Sequence, residues 1–97
     1  MMDTQALLKA HRKEILEIAT HNGVENIRVF GSVARGEERP DSDIDFLVSL
    51  QTGRSLLDLA RLLRELEALL GREVDVVTEA GLRPRIRPQV LKEARPL

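Results

Sequence analysis

The sequence predicts an α/β (α+β) fold in which a short mixed sheet of three or more strands packs against helices. Short apolar runs with the alternation of β-strands occupy residues 27–30, 44–48 and 73–78. Stretches with the helical spacing of leucine and isoleucine occupy residues 4–21 and 55–70. The predicted order of elements is therefore αβ(α)βαβ, followed by a C-terminal tail.

Length and composition favour one small domain. The 97 residues correspond to a single domain over 1–97, with a core over 24–79 and a C-terminal arm over 80–97. Fifteen basic and 16 acidic residues give a net charge of −1, which argues against a strongly basic surface for nucleic acids. Two phenylalanines, with no tryptophan or tyrosine, also argue against stacking on bases. We expect no direct binding of nucleic acid.

The residue types that are absent exclude further classes of protein. Without cysteine there are no disulfides, no thiolate zinc sites and no cysteine nucleophiles. No apolar run approaches the roughly 20 residues of a membrane-spanning helix, and the polar N-terminus lacks the pattern of a signal peptide. We therefore expect a soluble, cytoplasmic protein without a membrane partner.

The first predicted helix begins at Asp3 or Thr4, either of which can cap it, and runs to about His21. Asn22 and Gly23 follow as a left-handed stop. We expect the apolar side of this helix to cover the sheet, because residues spaced by three, four and seven share one side of a helix. That side carries Leu8, Ile15, Ile18 and Ala19.

The first two strands lie on either side of a glycine-serine turn. The first strand ends just before Gly31 and Ser32, and the residues up to Gly36 can form about one helical turn. A polar loop over 37–42 leads to the second strand, residues 43–49. One face of that strand carries Ile44, Phe46 and Val48, which we assign to the core, and the other carries Asp43, Asp45 and Leu47.

The second half of the chain is predicted as a long helix, a strand and a tail. The helix begins at a capping box formed by Ser55 and Asp58 and ends at Gly71. Its apolar stripe consists of Leu56, Leu59, Leu62, Leu63, Leu66, Leu69 and Leu70. A third strand over 73–78 follows. The remaining segment, from residue 81 onwards, is basic because it contains Arg83, Arg85, Arg87 and Arg95.

Prolines interrupt this C-terminal segment at Pro84, Pro88 and Pro96, although residues 88–94 can form a short helix. The segment is as consistent with a solvated arm as with a part of the protein that binds phosphate or a partner.

Residues 31–45 carry the clearest functional pattern. The Gly31-Ser32 turn leaves one strand, and Asp43 and Asp45 open the next. Residues i and i+2 of a strand share a face, so the two carboxylates are expected side by side, next to a turn whose glycine allows close approach of a phosphate. This arrangement is typical of a site for a metal ion and a nucleotide.

Two other motifs of similar composition do not fit. A P-loop requires Lys and Ser or Thr where this chain has Glu37 and Glu38. A calcium-binding EF-hand loop that starts at Asp41 requires glycine where Phe46 stands and glutamate where Thr52 stands.

The stretch resembles the signature of the DNA polymerase beta-like nucleotidyltransferases, and most closely that of the minimal nucleotidyltransferases, the MNT or MntA-type antitoxins. Their pattern is Gly-Ser-x-Ala-Arg-Gly, a short spacer, and then Ser-Asp-x-Asp. Every fixed position is present here, as Gly31, Ser32, Ala34, Arg35, Gly36, Ser42, Asp43 and Asp45. The resemblance implies a minimal polymerase beta-like nucleotidyltransferase core.

The resemblance also implies roles for these residues. Asp43, Asp45 and Asp75 would be the catalytic carboxylates and would hold Mg²⁺, with two ions expected. The nucleotide-binding residues would be Gly31, Ser32, Arg35 and Ser42. Arg35 would either stabilise the triphosphate or support the loop by pairing with an acidic neighbour.

Asp75 admits two placements on the residues alone. It lies among Val74, Val76 and Val77, and burial of an acid is costly unless it binds a cation or a hydrogen-bond donor. It could equally face solvent at the edge of the sheet.

By this resemblance, the protein is an AMP-transferring enzyme that uses ATP, releases pyrophosphate and modifies a tyrosine of a partner toxin of the HEPN ribonuclease class. The acceptor cannot belong to this chain, because it contains no tyrosine. Two alternatives remain: a non-catalytic antitoxin that masks the toxin by binding, and nucleotidyl transfer to a small molecule or RNA.

Replacement of either central aspartate tests this assignment. We expect Asp43→Asn or Asp45→Asn to lower turnover by roughly a thousandfold or more, because the loss of a metal-binding carboxylate removes several kcal/mol of transition-state stabilisation. Steady-state turnover of the two variants, beside the wild type, is the measurement. Near-normal transfer by either variant would refute the assignment.

Overall fold

The computed structural model describes residues 3–37 and 42–97, and within these ranges the chain forms a mixed sheet with helices. The elements are α1 (Thr4–Ala10), α2 (Arg12–His21), β1 (Val24–Phe30), α3 (Ser32–Arg35), β2 (Ile44–Leu50), α4 (Leu56–Leu70), β3 (Val74–Thr78), α5 (Arg87–Glu93) and β4 (Arg95–Pro96). The predicted fold class is confirmed. None of the helices in the described ranges is both long and apolar enough to cross a membrane.

The sheet has the strand order β3-β2-β1-β4. β1 and β2 pair antiparallel, β2 and β3 pair parallel through the α4 crossover, and the two residues of β4 pair antiparallel with β1. β2 is thus an inner strand with a partner on each side, and β3 lies at an edge.

The main core lies between one face of the sheet and helices α1, α2 and α4. On the sheet it includes the predicted set Ile44, Phe46 and Val48, none more than 1% exposed. On the helices it includes Leu8, Ile15, Ala19, Leu62, Leu66 and Leu70. The alternation predicted for the second strand is therefore confirmed.

A second, smaller apolar cluster covers the other face of the sheet. Leu47 is fully buried there against Leu82 and Val90, which come from the segment after β3 and from α5. The predicted short helix near the C-terminus is confirmed, since it corresponds to α5. The solvated-arm interpretation is wrong for this part of the chain, because Val90 of α5 packs on the sheet and β4 pairs with β1. That residues 1–97 form a single domain stays a prediction.

The first helix is not continuous, contrary to the prediction of one helix to about His21. His11 separates α1 from α2 with φ −107° and ψ 13°, outside helical values, although its N–H still bonds to the Leu7 carbonyl. The predicted ends are confirmed. The Asp3 side chain accepts the Ala6 N–H (2.7 Å), and Gly23 follows with φ +77°.

The capping box of α4 is present as predicted. The Ser55 side chain accepts the Leu57 N–H, Asp58 accepts the Ser55 N–H, and Gly71 ends the helix with φ +65°. Leu56, however, is 80% exposed, and its assignment to the apolar stripe is wrong. The packed part of the helix begins only at Leu59, one turn further along.

Two leucines of α4 provide a matched test of the core. Leu66→Ala should lower the free energy of unfolding by about 2–5 kcal/mol, because Leu66 is fully buried and its loss leaves a cavity. Leu57→Ala should change it by less than about 0.5 kcal/mol, because Leu57 is 73% exposed. Urea denaturation measures both, and equal losses would contradict the packing described here.

Candidate active site

Asp45 is placed by the strand that carries it. In β2 the side chains on either side of it, Ile44 and Phe46, enter the main core, so Asp45 lies on the opposite face. In the pairing register Asp45 is opposite Phe30 of β1 and opposite Asp75 of β3. Two acidic residues therefore stand at matching positions on neighbouring strands, which run about 4.8 Å apart.

Asp43 and Asp75 are both exposed. Asp43 lies one residue before β2, where the strand begins with the Ile44 N–H donating to the Glu73 carbonyl (3.0 Å). Of the two placements open for Asp75, the exposed one at the edge of the sheet is found, because β3 is the outermost strand. Its flanking valines do not bury it.

The environment of Asp45 disfavours its charged form. Burial, followed by the nearby charges of Asp75 and Asp43, raises the pKa of Asp45 to about 6, although Arg35 opposes this shift. Asp43, Asp45 and Asp75 are thus close enough for their charges to interact. A group with this property is suited to binding a cation that neutralises the repulsion.

The glycine-serine turn touches this carboxylate directly. Gly31 has φ +76° and ψ −153°, and a Cβ added there would overlap Asp45 Oδ2. Glycine is therefore required on both conformational and steric grounds. Ser32 follows at once as the first residue of α3, which is the helical turn predicted from the sequence.

Arg35, at the end of α3, is held by two carboxylates. Its guanidinium donates to Glu37 Oε2 (3.1 Å) and to both oxygens of Glu93 (3.0 and 3.2 Å). The hydrogen bonds to Glu37 and then to Glu93 raise the pKa of Arg35 above its usual value. Pairing with an acidic neighbour was one of the two roles expected for this residue.

Ser42 is positioned through its main chain. Its carbonyl accepts a hydrogen bond from Arg72 Nη2 (2.6 Å), and Arg72 Nη1 donates to the buried Thr4 hydroxyl (2.7 Å). Arg72 thereby connects the residue before Asp43 to the start of α1. The predicted polar loop, 37–42, lies largely outside the described residues.

Sequence reasoning missed two residues that contact the predicted site, Arg72 and Glu93. Arg72 holds Ser42, and Glu93 accepts the Gly31 N–H (2.7 Å) as well as pairing with Arg35. No local pattern marks them, because their partners lie 30 and 62 residues away in the sequence.

The carboxylates fit a magnesium ion that also contacts substrate. Within the described ranges no three His, Asp or Glu side chains form a ready-made metal cage. Mg²⁺ is usually held by one or two carboxylates, with water and substrate phosphates as its other ligands. Asp45 beside Asp43 and Asp75, two of which are open to solvent, offers carboxylates of this kind.

Comparison with known proteins places the chain among enzymes of nucleotide transfer. A family model described as the nucleotidyltransferase domain matches residues 8–97. The protein adenylyltransferase MntA of Thermococcus cleftensis is 44% identical over 91 residues, which cover 94% of this chain and 89% of the relative.

Solved structures agree with this. A candidate minimal nucleotidyltransferase of known structure is 57% identical, with a TM-score of 0.84 over 93% of this chain and 92% of the other. One chain in the structure of a tri-AMPylated Shewanella oneidensis HEPN toxin bound to an MNT antitoxin has a TM-score of 0.68. That match covers 91% of this chain and 69% of the other at 20% identity, a likeness of fold alone.

The raised pKa of Asp45 predicts how the free energy of unfolding of the metal-free protein depends on pH. Between pH 3.8 and about 6 the folded protein binds a proton on the Asp45 carboxyl more tightly than the unfolded chain does. The stabilisation of the folded state by this proton is complete below pH 3.8 and is lost as pH rises through about 6. We expect the free energy of unfolding to fall by about 1–2 kcal/mol over this range, allowing for solvent screening of a half-buried carboxylate.

Urea denaturation of the wild type and of Asp45→Asn in metal-free buffer at several pH values measures this contribution as a difference. Titrating groups that do not interact with Asp45 cancel in that difference. A difference independent of pH from 4 to 7 would show that the Asp45 carboxyl titrates normally.

Proposed function

We propose that this chain, which belongs to the nucleotidyltransferase domain family, transfers AMP from ATP to a tyrosine of a partner HEPN-class toxin and thereby acts as its antitoxin. The chain is a nucleotidyltransferase; the donor, the metal, the acceptor and the partner are the proposal. We expect the reaction to take place in the cytoplasm.

One observation carries this proposal: the carboxylate of Asp45 lies between a second carboxylate and a glycine-serine turn. Asp75 occupies the matching position on β3, and Gly31 lies against Asp45 Oδ2. A nucleoside triphosphate needs both a cation and close backbone contacts for its phosphates, and this arrangement is suited to supplying them together.

In the proposed reaction, the acceptor hydroxyl oxygen attacks the α-phosphorus of ATP. A new P–O bond to the acceptor forms while the bond between the α-phosphorus and the bridging oxygen breaks. Pyrophosphate leaves with that electron pair, and the hydroxyl proton passes to Asp75, whose exposed carboxylate is accessible to an incoming substrate. Gly31, Ser32, Arg35 and Ser42 orient the phosphates.

Asp43, Asp45 and Asp75 would hold magnesium, with two ions expected. When bound, magnesium neutralises charge on the phosphate oxygens and on the leaving pyrophosphate. The side chains themselves define where the α-phosphorus lies relative to the acceptor, and alignment of this kind is a large part of catalysis in phosphoryl transfer.

A protein acceptor is favoured by the relatives. The Thermococcus cleftensis relative is a protein adenylyltransferase, and this chain covers most of its length. The fold-level likeness to a chain in a HEPN toxin complex supports the choice of partner. Since this chain contains no tyrosine, a tyrosine acceptor must come from another protein.

Intact mass measurement tests the proposal. The product of an adjacent gene, if it encodes a small helical protein of the HEPN class, is incubated with this protein, ATP and magnesium. We expect added AMP units on a tyrosine, identified by peptide mapping. Asp45→Asn should abolish the addition, whereas Glu25→Gln, an exposed substitution at the far end of β1, should not.

A stable complex without any added mass would contradict the proposal and favour masking by contact. Addition that persists in the Asp45→Asn variant would contradict the assignment of the site.

A further inference from the structure

We propose that Glu93, at the end of α5, is a positioning residue for the nucleotide-binding turn. Its carboxylate fixes the Gly31 peptide and Arg35, and so keeps Ser32 and Asp45 in the arrangement that receives the phosphates. This inference rests on the proposed function of the site, and it adds a residue that the family pattern does not contain.

The contacts of Glu93 reach both ends of α3. One carboxylate oxygen accepts the N–H of Gly31 (2.7 Å), which precedes the helix, and both oxygens accept from Arg35, its last residue (3.0 and 3.2 Å). Hydrogen bonds in which a partner is charged are the stronger kind. One side chain therefore holds the whole turn.

Glu93 is itself held in place. Its side chain is only 15% exposed. Val90, one turn earlier in α5, is buried in the smaller apolar cluster. Two residues later Arg95 pairs with Val29 of β1. Packing on one side and strand pairing on the other leave Glu93 little freedom to move away.

Gly31 is the residue that needs such support. Glycine adopts positive and negative φ almost equally readily, so the chain alone does not fix the φ of +76° found here. At this φ the residue lies against Asp45 Oδ2. A hydrogen bond from its N–H to a carboxylate held by the fold selects this conformation over the others.

Neutralisation of Glu93 tests the inference, because the positioning role and simple electrostatics predict opposite changes in ATP affinity. Removal of a negative charge near the triphosphate site should, by electrostatics alone, strengthen ATP binding. If the Glu93 carboxylate merely occupied the place of a phosphate of ATP, its neutralisation would strengthen ATP binding as well. The positioning role predicts the opposite. Glu93→Gln should weaken binding about tenfold, because the two charged acceptor oxygens that hold Gly31 and Arg35 are replaced by one neutral amide oxygen.

Two controls separate this role from general effects. Glu37→Gln removes the other carboxylate bound to Arg35 but leaves the Gly31 contact intact. Gln89→Ala changes an exposed, uncharged residue of α5 and leaves the buried Val90 and the Glu93 carboxylate intact. Both should alter ATP affinity by less than about twofold.

Calorimetric titration of the full chain with ATP and magnesium measures the affinities, and the thermal midpoint of each variant establishes that it is folded. The backbone amide resonance of Gly31 gives a second readout. It should move upfield in Glu93→Gln and stay in place in Glu37→Gln, because only the first change weakens the acceptor of this N–H.

Unchanged or tighter ATP binding by Glu93→Gln would overturn the inference, as would equal weakening by Gln89→Ala. If the wild type binds ATP but transfers nothing to the proposed acceptor, the proposed function fails. The ATP affinities of the variants then still decide whether Glu93 is a positioning residue. If the wild type transfers AMP and Glu93→Gln does so with unchanged affinity, only the inference fails. A wild type that does not bind ATP would overturn both.

Discussion

The alternation of side chains along β2 is the constraint on which the site depends. Ile44, Phe46 and Val48 are buried beneath the helices, and a slip of one residue would turn all three to the opposite face. β1 and β3 fix the register from both sides. Asp45 is therefore held on the other face by hydrophobic packing, and its partial desolvation follows from where that packing places it.

Features that depend on neighbours in the sequence could be predicted. The alternation of the second strand, the capping box of Ser55 and Asp58 and the glycine stops need only local spacing, and the structure confirms them. The motif from Gly31 to Asp45 likewise revealed the family from residues close in sequence. The roles given to the individual aspartates stay predictions.

Features that depend on distant elements could not be predicted in this way. Leu56 fits the helical stripe, yet the packed part of α4 starts one turn later. Asp75 is exposed on β3, the outermost strand of the sheet within the described ranges, which its flanking valines do not indicate. The contacts of Arg72 and Glu93 follow from the topology of the sheet, since each partner lies at least 30 residues away.

The long separation between Glu93 and Gly31 also makes the site depend on a continuous chain. Phe30 and Asp45 face each other across 15 residues through an antiparallel pairing, whereas Asp75 arrives only after a helical crossover. The contact with Glu93 spans 62 residues, and contacts of wide separation close the longest loops. A chain cleaved between β3 and α5 would keep all three aspartates while the turn beside them lost its support, so integrity of the backbone becomes a condition for a competent site.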